Sequence, residues 1–267
     1  MIKDILKKHN LYLESGRDQF YMDSERILDQ EVEEAGIEKG DVVLEIGAGV
    51  GTLTKKLAEK AKKVYAIEND PEVVQALKEE IKNYDNIEII PKDALKIDFP
   101  EFDKCVSNIP YSISSEVIEK LSKYGKLSVI SLQKEFAERL VAEPGSRDYS
   151  RITIRARFRF LPVMIREVSR DYFFPKPDVD SAIVKLYPRK SEFEVENEEF
   201  FFKTVKALFI HKNKKVRNSF YDSRRFFDLN KDKAKEIRDD LPNSEEKVFT
   251  LNIKELAEIS KFLERSL

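Results

Sequence analysis

The sequence predicts an α/β protein: a doubly wound, mostly parallel sheet over residues 1–188, followed by a small all-helical C-terminal domain over residues 189–267. Three observations carry that expectation. Short apolar runs rich in β-formers alternate with helical spacing five times between residues 42 and 132. A glycine-rich turn joins the first of these strands to the first helix. From residue 198 onward the pattern is wholly helical, ending in a tail spaced Leu251, Leu256, Ile259, Phe262 and Leu263.

The first strand, Val42-Val43-Leu44-Glu45-Ile46, is four apolar residues interrupted by one acid, as a strand buried on both faces should be. Gly47, Gly49 and Gly51 then break it before Leu53 and Leu57 begin a helix. Glycines here let a ligand lie directly against the backbone, with the first helical amides pointing at it, although an ordinary βα turn reads the same way in isolation. The second strand, residues 64–68, ends in Glu68, 21 residues after Gly47. A doubly wound fold puts a carboxylate there beside a ribose, where two vicinal hydroxyls can donate to it. The dinucleotide fingerprint G-x-G-x-x-G would want Gly or Ala at position 52, where this chain has Thr52. The turn and acid together resemble the S-adenosylmethionine site of class I methyltransferases, which implies a Rossmann-like, seven-stranded sheet.

Residues 1–16 read as a basic amphipathic helix or arm. Asp23 or Ser24 caps a helix carrying Ile27, Leu28, Val32 and Ala35, terminated by Gly36 and able to fold over a ligand. Pro71 opens a helix to residue 82, residues 87–90 form a strand closed by Pro91 ahead of Asp93, and residues 102–107 form a strand running into Asn108. A helix over 115–121 and a strand over 127–132 complete the repeats. Residues 151–160 alternate apolar and polar throughout, which by periodicity alone says strand. Residues 171–181 read as an irregular, proline-bearing loop, 182–187 as the last strand and 188–197 as a linker.

Composition narrows the function classes. The 41% hydrophobic content of 267 residues is ample for a core, and 48 basic against 50 acidic residues argue against indiscriminate nucleic-acid binding. The charge is uneven, however: residues 203–225 hold eight Lys or Arg and one acid, a local +7 that leaves the rest of the chain at −9 and points to a localised anionic partner. A lone Cys105 excludes an internal disulfide, and two His with one Cys make no zinc spacing, so no metal is expected. Without a signal peptide or long apolar run, the expectation is a soluble, cytoplasmic, monomeric protein with no membrane association.

Asn108-Ile109-Pro110-Tyr111 falls at the carboxyl end of the fourth strand, beside the point where an open α/β sheet binds its ligand. An exocyclic adenine amine is a poor nucleophile because its lone pair is delocalised into the ring. Two acceptors for its two hydrogens, the Asn108 side-chain oxygen and the Ile109 carbonyl, would turn that lone pair toward a methyl group, and Tyr111 would offer a stacking face. An Asx-turn beside a core tyrosine is the plainer reading.

Residues 44–54, Asp93-Ala94-Leu95, 107–115, 133–137, 139–142, 173–181 and 217–219 together resemble the small-subunit ribosomal RNA adenine dimethyltransferase family, in an archaeal-like form. The resemblance implies S-adenosyl-L-methionine as cofactor. It implies, as partner and substrate, small-subunit rRNA within a pre-ribosomal subunit, where two adjacent adenosines near the 3′ end are dimethylated during ribosome biogenesis. Carried over by position, Gly47 and Gly49 approach the methionine portion, Glu68 the ribose, and Asp93 with the Ala94 amide the cofactor's adenine. Asn108 touches both substrates. Phe173 opposes Tyr111 across a flipped base, with a plain core phenylalanine as its alternative. The family's N-terminal G-Q-N/H-F-L is Arg17-Asp18-Gln19-Phe20-Tyr21 here, which places Gln19 and Tyr21 at the cofactor with altered chemistry. The resemblance also overrides periodicity, making residues 151–160 a helix followed by a strand near 161–168. The rival readings are a large-subunit rRNA methyltransferase, an assembly factor with secondary methylation and, more distantly, a nicotinamide dehydrogenase.

Overall fold

A computed structural model describes residues 2–11, 19–189 and 195–267; Arg17, Asp18 and the middle of the linker expected at 188–197 lie outside the described residues. In chain order the first elements are α1 (Ile2–Lys8), β1 (Tyr21–Met22), α2 (Glu25–Ala35), β2 (Val42–Ile46), α3 (Thr52–Ala58), β3 (Lys63–Ile67), α4 (Pro71–Glu80), β4 (Ile87–Ile90) and β5 (Lys104–Asn108). They are followed by α5 (Ser114–Tyr124), β6 (Leu127–Gln133), α6 (Lys134–Val141), α7 (Arg151–Arg159), β7 (Phe160–Val168), β8 (Phe173–Phe174) and β9 (Ser181–Pro188). Seven strands make one sheet in the order β4-β3-β2-β5-β6-β9-β7. The first five are parallel; β9 runs antiparallel to β6, and β7 antiparallel to β9. Winding proceeds outward from β2 to β4, then returns to β5 on the other side of β2. The switch point therefore lies between β2 and β5, where an open parallel sheet leaves a crevice at its carboxyl ends.

Local sequence explains these elements. Val43, Leu44, Glu45 and Ile46 of β2 are all buried, as a strand covered on both faces requires. Helix α2 buries the stripe Ile27, Leu28, Glu31, Val32 and Ala35 and ends where Gly36 takes a left-handed conformation, φ 57°. Asp70 caps α4 by accepting the Glu72 and Val73 amides, with Pro71 in the first turn. Helix α1 buries Ile2 and Leu6 against Val50, Val73 and Ala76. Its end is held at Glu80, which accepts hydrogen bonds from Lys8 (2.6 Å), His9 (2.9 Å) and Lys55 (2.7 Å).

Two expectations from local pattern alone need correcting. Residues 151–159 form α7 despite their alternation, because Ile154 and Phe158, four apart, enter a helical core. The intervening arginines are absorbed as well: Arg155 lies over the Phe202 ring at 3.3 Å, Arg157 pairs with Glu143 and Arg159 with Glu198. Phe173 and Phe174, inside the segment expected to be irregular, pair antiparallel with Met22 and Tyr21. They precede the first proline and so keep their backbone donors.

The chain divides into two compact units, Met1–Glu138 with Phe160–Arg189, and Arg139–Arg159 with Lys190–Leu267. Residues 139–159 group with the helices of the second unit although they precede residue 188 in the chain. Tyr149, Ile154 and Phe158 share one core with Phe201, Leu208 and Phe209, and the Tyr149 hydroxyl donates to the Leu251 carbonyl at 2.8 Å. The rest of this unit is α8 (Glu198–Phe209), α9 (Val216–Asp222), α10 (Lys231–Arg238) and α11 (Ile253–Ser266), the last opened by a reciprocal capping box between Asn252 and Glu255.

The basic run is partly structural. Lys212 Nζ donates to the carbonyls of Arg147 and Tyr149, both at 2.8 Å, while Lys214 pairs with Asp222 and both Lys215 and Arg217 pair with Glu245. Lys206 and Arg225 are exposed. Lys212→Met should therefore destabilise the protein by about 1–3 kcal/mol, since two carbonyls lose a charged donor. Chemical denaturation checks this; a variant as stable as the parent would mean that water serves those carbonyls equally well.

Candidate active site

A cavity of about 370 Å³ opens at the carboxyl ends of β2 and β5, within the usual range for a small-molecule site. Its floor is the glycine turn. Gly47 (φ 75°) and Ala48 donate their amides to the Ile67 carbonyl at 2.9 and 3.0 Å, which folds the turn over the end of β3. A β-carbon on Gly49 (φ 55°) would stand 2.8 Å from Cε1 of Tyr21, so the glycine is what lets Tyr21 close down on the backbone.

Glu68 sits beside this turn, 9% exposed. Its Oε2 accepts the Gly49 amide at 2.9 Å, and its Oε1 accepts the amides of Asn69 and Asp70 at 2.8 and 3.0 Å. Burial raises its pKa above the ordinary carboxylate value, against the pull of those three bonds. They occupy three of about four lone-pair positions, leaving one for a further donor. Gln19 reaches Asp70 at 3.3 Å and borders the same cavity. Asp93, which also lines the cavity, accepts the Leu95 amide at 2.9 Å and pairs with Lys96 at 3.1 Å, contacts that hold its carboxyl below the usual range. The Ala94 carbonyl accepts from Lys120 Nζ at 2.7 Å, and that ammonium lies 4.4 Å from the centre of the Phe99 ring.

Asn108 ends β5 at the cavity wall. Its Nδ2 donates to Glu31 Oε2 at 3.0 Å, while its Oδ1 is buried and accepts no hydrogen bond among the described residues. The Tyr111 ring stacks on Phe20, centroids 5.4 Å apart at 29°, and its hydroxyl shares a 2.5 Å hydrogen bond with Ser181 Oγ. Phe173, 6% exposed, packs in the core with Met22, Val168 and Ile183 and also lines the cavity. Core residue and cavity wall are therefore the same side chain. All the site residues singled out from sequence, from Gln19 and Tyr21 through to Tyr111 and Phe173, border this one cavity.

Sequence reasoning missed Glu31, Phe20, Ser181 and Lys120. Glu31 left a signal of its own, an acid on the apolar stripe of α2, four residues from Ile27 and from Ala35, while Phe20 and Ser181 stand inside the segments 17–21 and 173–181 already singled out. The others matter through partners far away in the chain. Among the described residues no cluster of acids, histidines or cysteines could hold a metal, and no helix is long and apolar enough to cross a membrane.

Comparison with known proteins gives a consistent picture. The family profile described as ribosomal RNA adenine dimethylase matches residues 15–258. A protein of Methanosarcina acetivorans named probable ribosomal RNA small subunit methyltransferase A is 43% identical, covering 98% of each chain. A protein of the same name from Methanosphaera stadtmanae is 40% identical over 99% of this chain and 98% of its own. Among solved structures, a dimethyladenosine transferase from Plasmodium falciparum superposes with a TM-score of 0.79 at 32% identity, covering 92% of this chain and 98% of that one. The 23S rRNA methyltransferase ErmE shares the fold, with a TM-score of 0.66 at 24% identity over 91% and 99% of the two chains.

The buried acids behind the cavity set a pH dependence. Desolvation pushes both Glu31 and Glu45 up to about 8, and for Glu45 the neighbouring carboxyls of Glu31 and Glu68 add repulsion. Unfolded, each ionises near 4.5. Between those values the folded state holds protons that the unfolded state has lost, so the acids' contribution to stability is full below about 4.5 and is lost as pH rises toward 8. Glu45→Gln should accordingly raise the melting temperature little at pH 5 and clearly at pH 8. A difference that is constant across that range would show that Glu45 does not hold its proton in the fold.

Proposed function

This chain belongs to the ribosomal RNA adenine dimethylase family, and on that premise we propose that it transfers methyl groups from S-adenosylmethionine to the exocyclic N6 of two adjacent adenosines. These lie near the 3′ end of small-subunit rRNA, and the product is dimethyladenosine, made during ribosome biogenesis. The enzyme acts as a cytoplasmic monomer on a pre-ribosomal small subunit. The observation that supports this reading best is Asn108, whose side-chain oxygen is buried at a cavity wall without a partner among the described residues while its amide nitrogen is committed to Glu31.

The residues present suit the cofactor. The cradle at Gly47 and Gly49, which β-carbons would fill, holds the methionine portion against the backbone, with Gln19 and Tyr21 alongside. Glu68 offers its remaining acceptor position to a ribose hydroxyl, and Asp93 with the Ala94 amide takes the adenine. When bound, S-adenosylmethionine supplies an electrophilic methyl group. Asn108 Oδ1 and the Ile109 carbonyl accept the two hydrogens of the target amine. As the nitrogen becomes tetrahedral its hydrogens become more acidic, so both bonds strengthen in the transition state and lower the barrier. The proton leaves a nitrogen already cationic, which requires no strong base. Tyr111, braced by Phe20 and Ser181, and Phe173 supply the aromatic surface for a base taken out of its stack.

Labelled S-adenosylmethionine mixed with small subunits lacking the modification should deliver label to both adenosines; label only in large-subunit RNA, or none at all, would refute the assignment. In the same assay Asn108→Ala should cut turnover by on the order of a hundredfold or more with the fold intact. Glu68→Ala should act instead on cofactor affinity, weakening it about tenfold or more by calorimetry.

The phosphate contacts fall to the exposed cations of the helical unit, Lys206 and Arg225 among them, while base choice stays with the cavity. Reversing both to Glu should weaken subunit binding and flatten its salt dependence, with cofactor affinity and melting unchanged. An unaltered salt slope would move docking to another surface.

A further inference from the structure

Glu31 stands on the buried stripe of α2 and is 1% exposed, where packing alone would be served by leucine or valine. One hydrogen bond meets its carboxyl, from Asn108 Nδ2 at 3.0 Å, and its Oε1 is buried and accepts none among the described residues. An acid so placed is costly to the fold, and an apolar replacement would remove that cost while leaving the Asn108 amide hydrogens without an acceptor. Its effect is felt at the other end of the bond. The asparagine amide presents an acceptor at one end and a donor at the other, nearly alike in shape, and backbone geometry does not select between them. Asn108 borders the cavity and Glu31 does not, and with Nδ2 held by Glu31 the free end of the amide is Oδ1. The carboxylate form has no hydrogen to give and permits only this orientation; the neutral form keeps it when its carbonyl oxygen accepts Nδ2 and its hydroxyl points away from Asn108.

We propose that Glu31 is a positioning residue: by holding Nδ2 of Asn108, it keeps Oδ1 turned toward the methyl-accepting amine. The inference rests on the role proposed for Asn108. With the amide reversed, an N–H donor would face the amine hydrogens, repelling them and withdrawing the acceptor on which turnover depends.

The test uses Glu31→Leu, Glu31→Gln, Asn108→Ala and the double variant Glu31→Leu/Asn108→Ala, assayed under steady-state conditions with saturating S-adenosylmethionine and unmethylated small subunits. Glu31→Leu should lower kcat by on the order of tenfold or more. Its dissociation constant for S-adenosylmethionine should stay within about twofold, because no cofactor contact is touched. Glu31→Leu should remain folded at the assay temperature, so that its loss of turnover is read apart from any loss of stability. Glu31→Gln, whose carbonyl oxygen can still accept from Nδ2, should recover most of the lost turnover. In the double variant the leucine should add nothing to the Asn108→Ala loss, since it acts only through that side chain. Wild-type kcat in Glu31→Leu, additive losses in the double variant, or unfolding at the assay temperature that Glu31→Gln does not rescue would each overturn the inference. Wild-type turnover in Asn108→Ala would instead defeat the reading of Asn108 itself, so the two failures are told apart.

Discussion

Gly47 lies so close to the neighbouring strand end that a β-carbon on it would stand 3.2 Å from Cδ of Pro110 and 3.6 Å from the Asn108 carbonyl oxygen. The contact is possible because β2 and β5 part company early. Only Val43 with Lys104 and Leu44 with Cys105 stand in register, and beyond them the Ile46 amide is taken by the Ser107 side chain at 2.8 Å. A serine hydroxyl thus replaces a ladder carbonyl at the point where the strands splay, keeping a buried donor satisfied while a crevice opens. The glycine turn and the Asn-Ile-Pro-Tyr turn then face each other across it. Both turns are built on one pair of strands, so their separation is set by the sheet.

How much of this was legible follows from how local each determinant is. The strand, glycine turn and helix over residues 42–58 could be read directly, because positive φ at Gly47 and Gly49 and burial on both faces of β2 leave their marks within a few residues. The alternation over residues 151–159 pointed the wrong way, since the arginines there face Phe202, Glu143 and Glu198, partners that no local window contains. The pairing of Tyr21–Met22 with Phe173–Phe174 joins segments about 150 residues apart and has no sequence pattern of its own. Tyr111 shows the same limit within the site: the ring of Phe20 and the hydroxyl of Ser181 meet it from about 90 and 70 residues away in the chain, and no local pattern links them.

The acids around the cavity illustrate how burial and bonding divide similar residues between tasks. Glu68 is nearly enclosed, yet three backbone amides converge on it, which keeps it an acceptor able to receive one more donor. Glu31 is enclosed with a single side-chain donor, so desolvation dominates and it holds its proton well above the ordinary range. The first arrangement suits contact with a polar ligand. The second suits fixing a neighbour, because a group with one partner spends its directionality on that partner.

The basic run shows why charge counted along a sequence overstates charge presented to a partner. Lys214 is matched by Asp222, Lys215 and Arg217 by Glu245 from well outside the run, and Lys212 is turned inward to two carbonyls. Lys203 lies over the Phe227 ring at 5.9 Å. Exposed pairs of this kind add little stability and are screened by salt, yet each acid removes local potential that a polyanion would otherwise meet. The field of the helical unit is therefore narrower than a +7 window implies. Among the described residues it is concentrated on those cations that neither an acid nor a carbonyl has claimed.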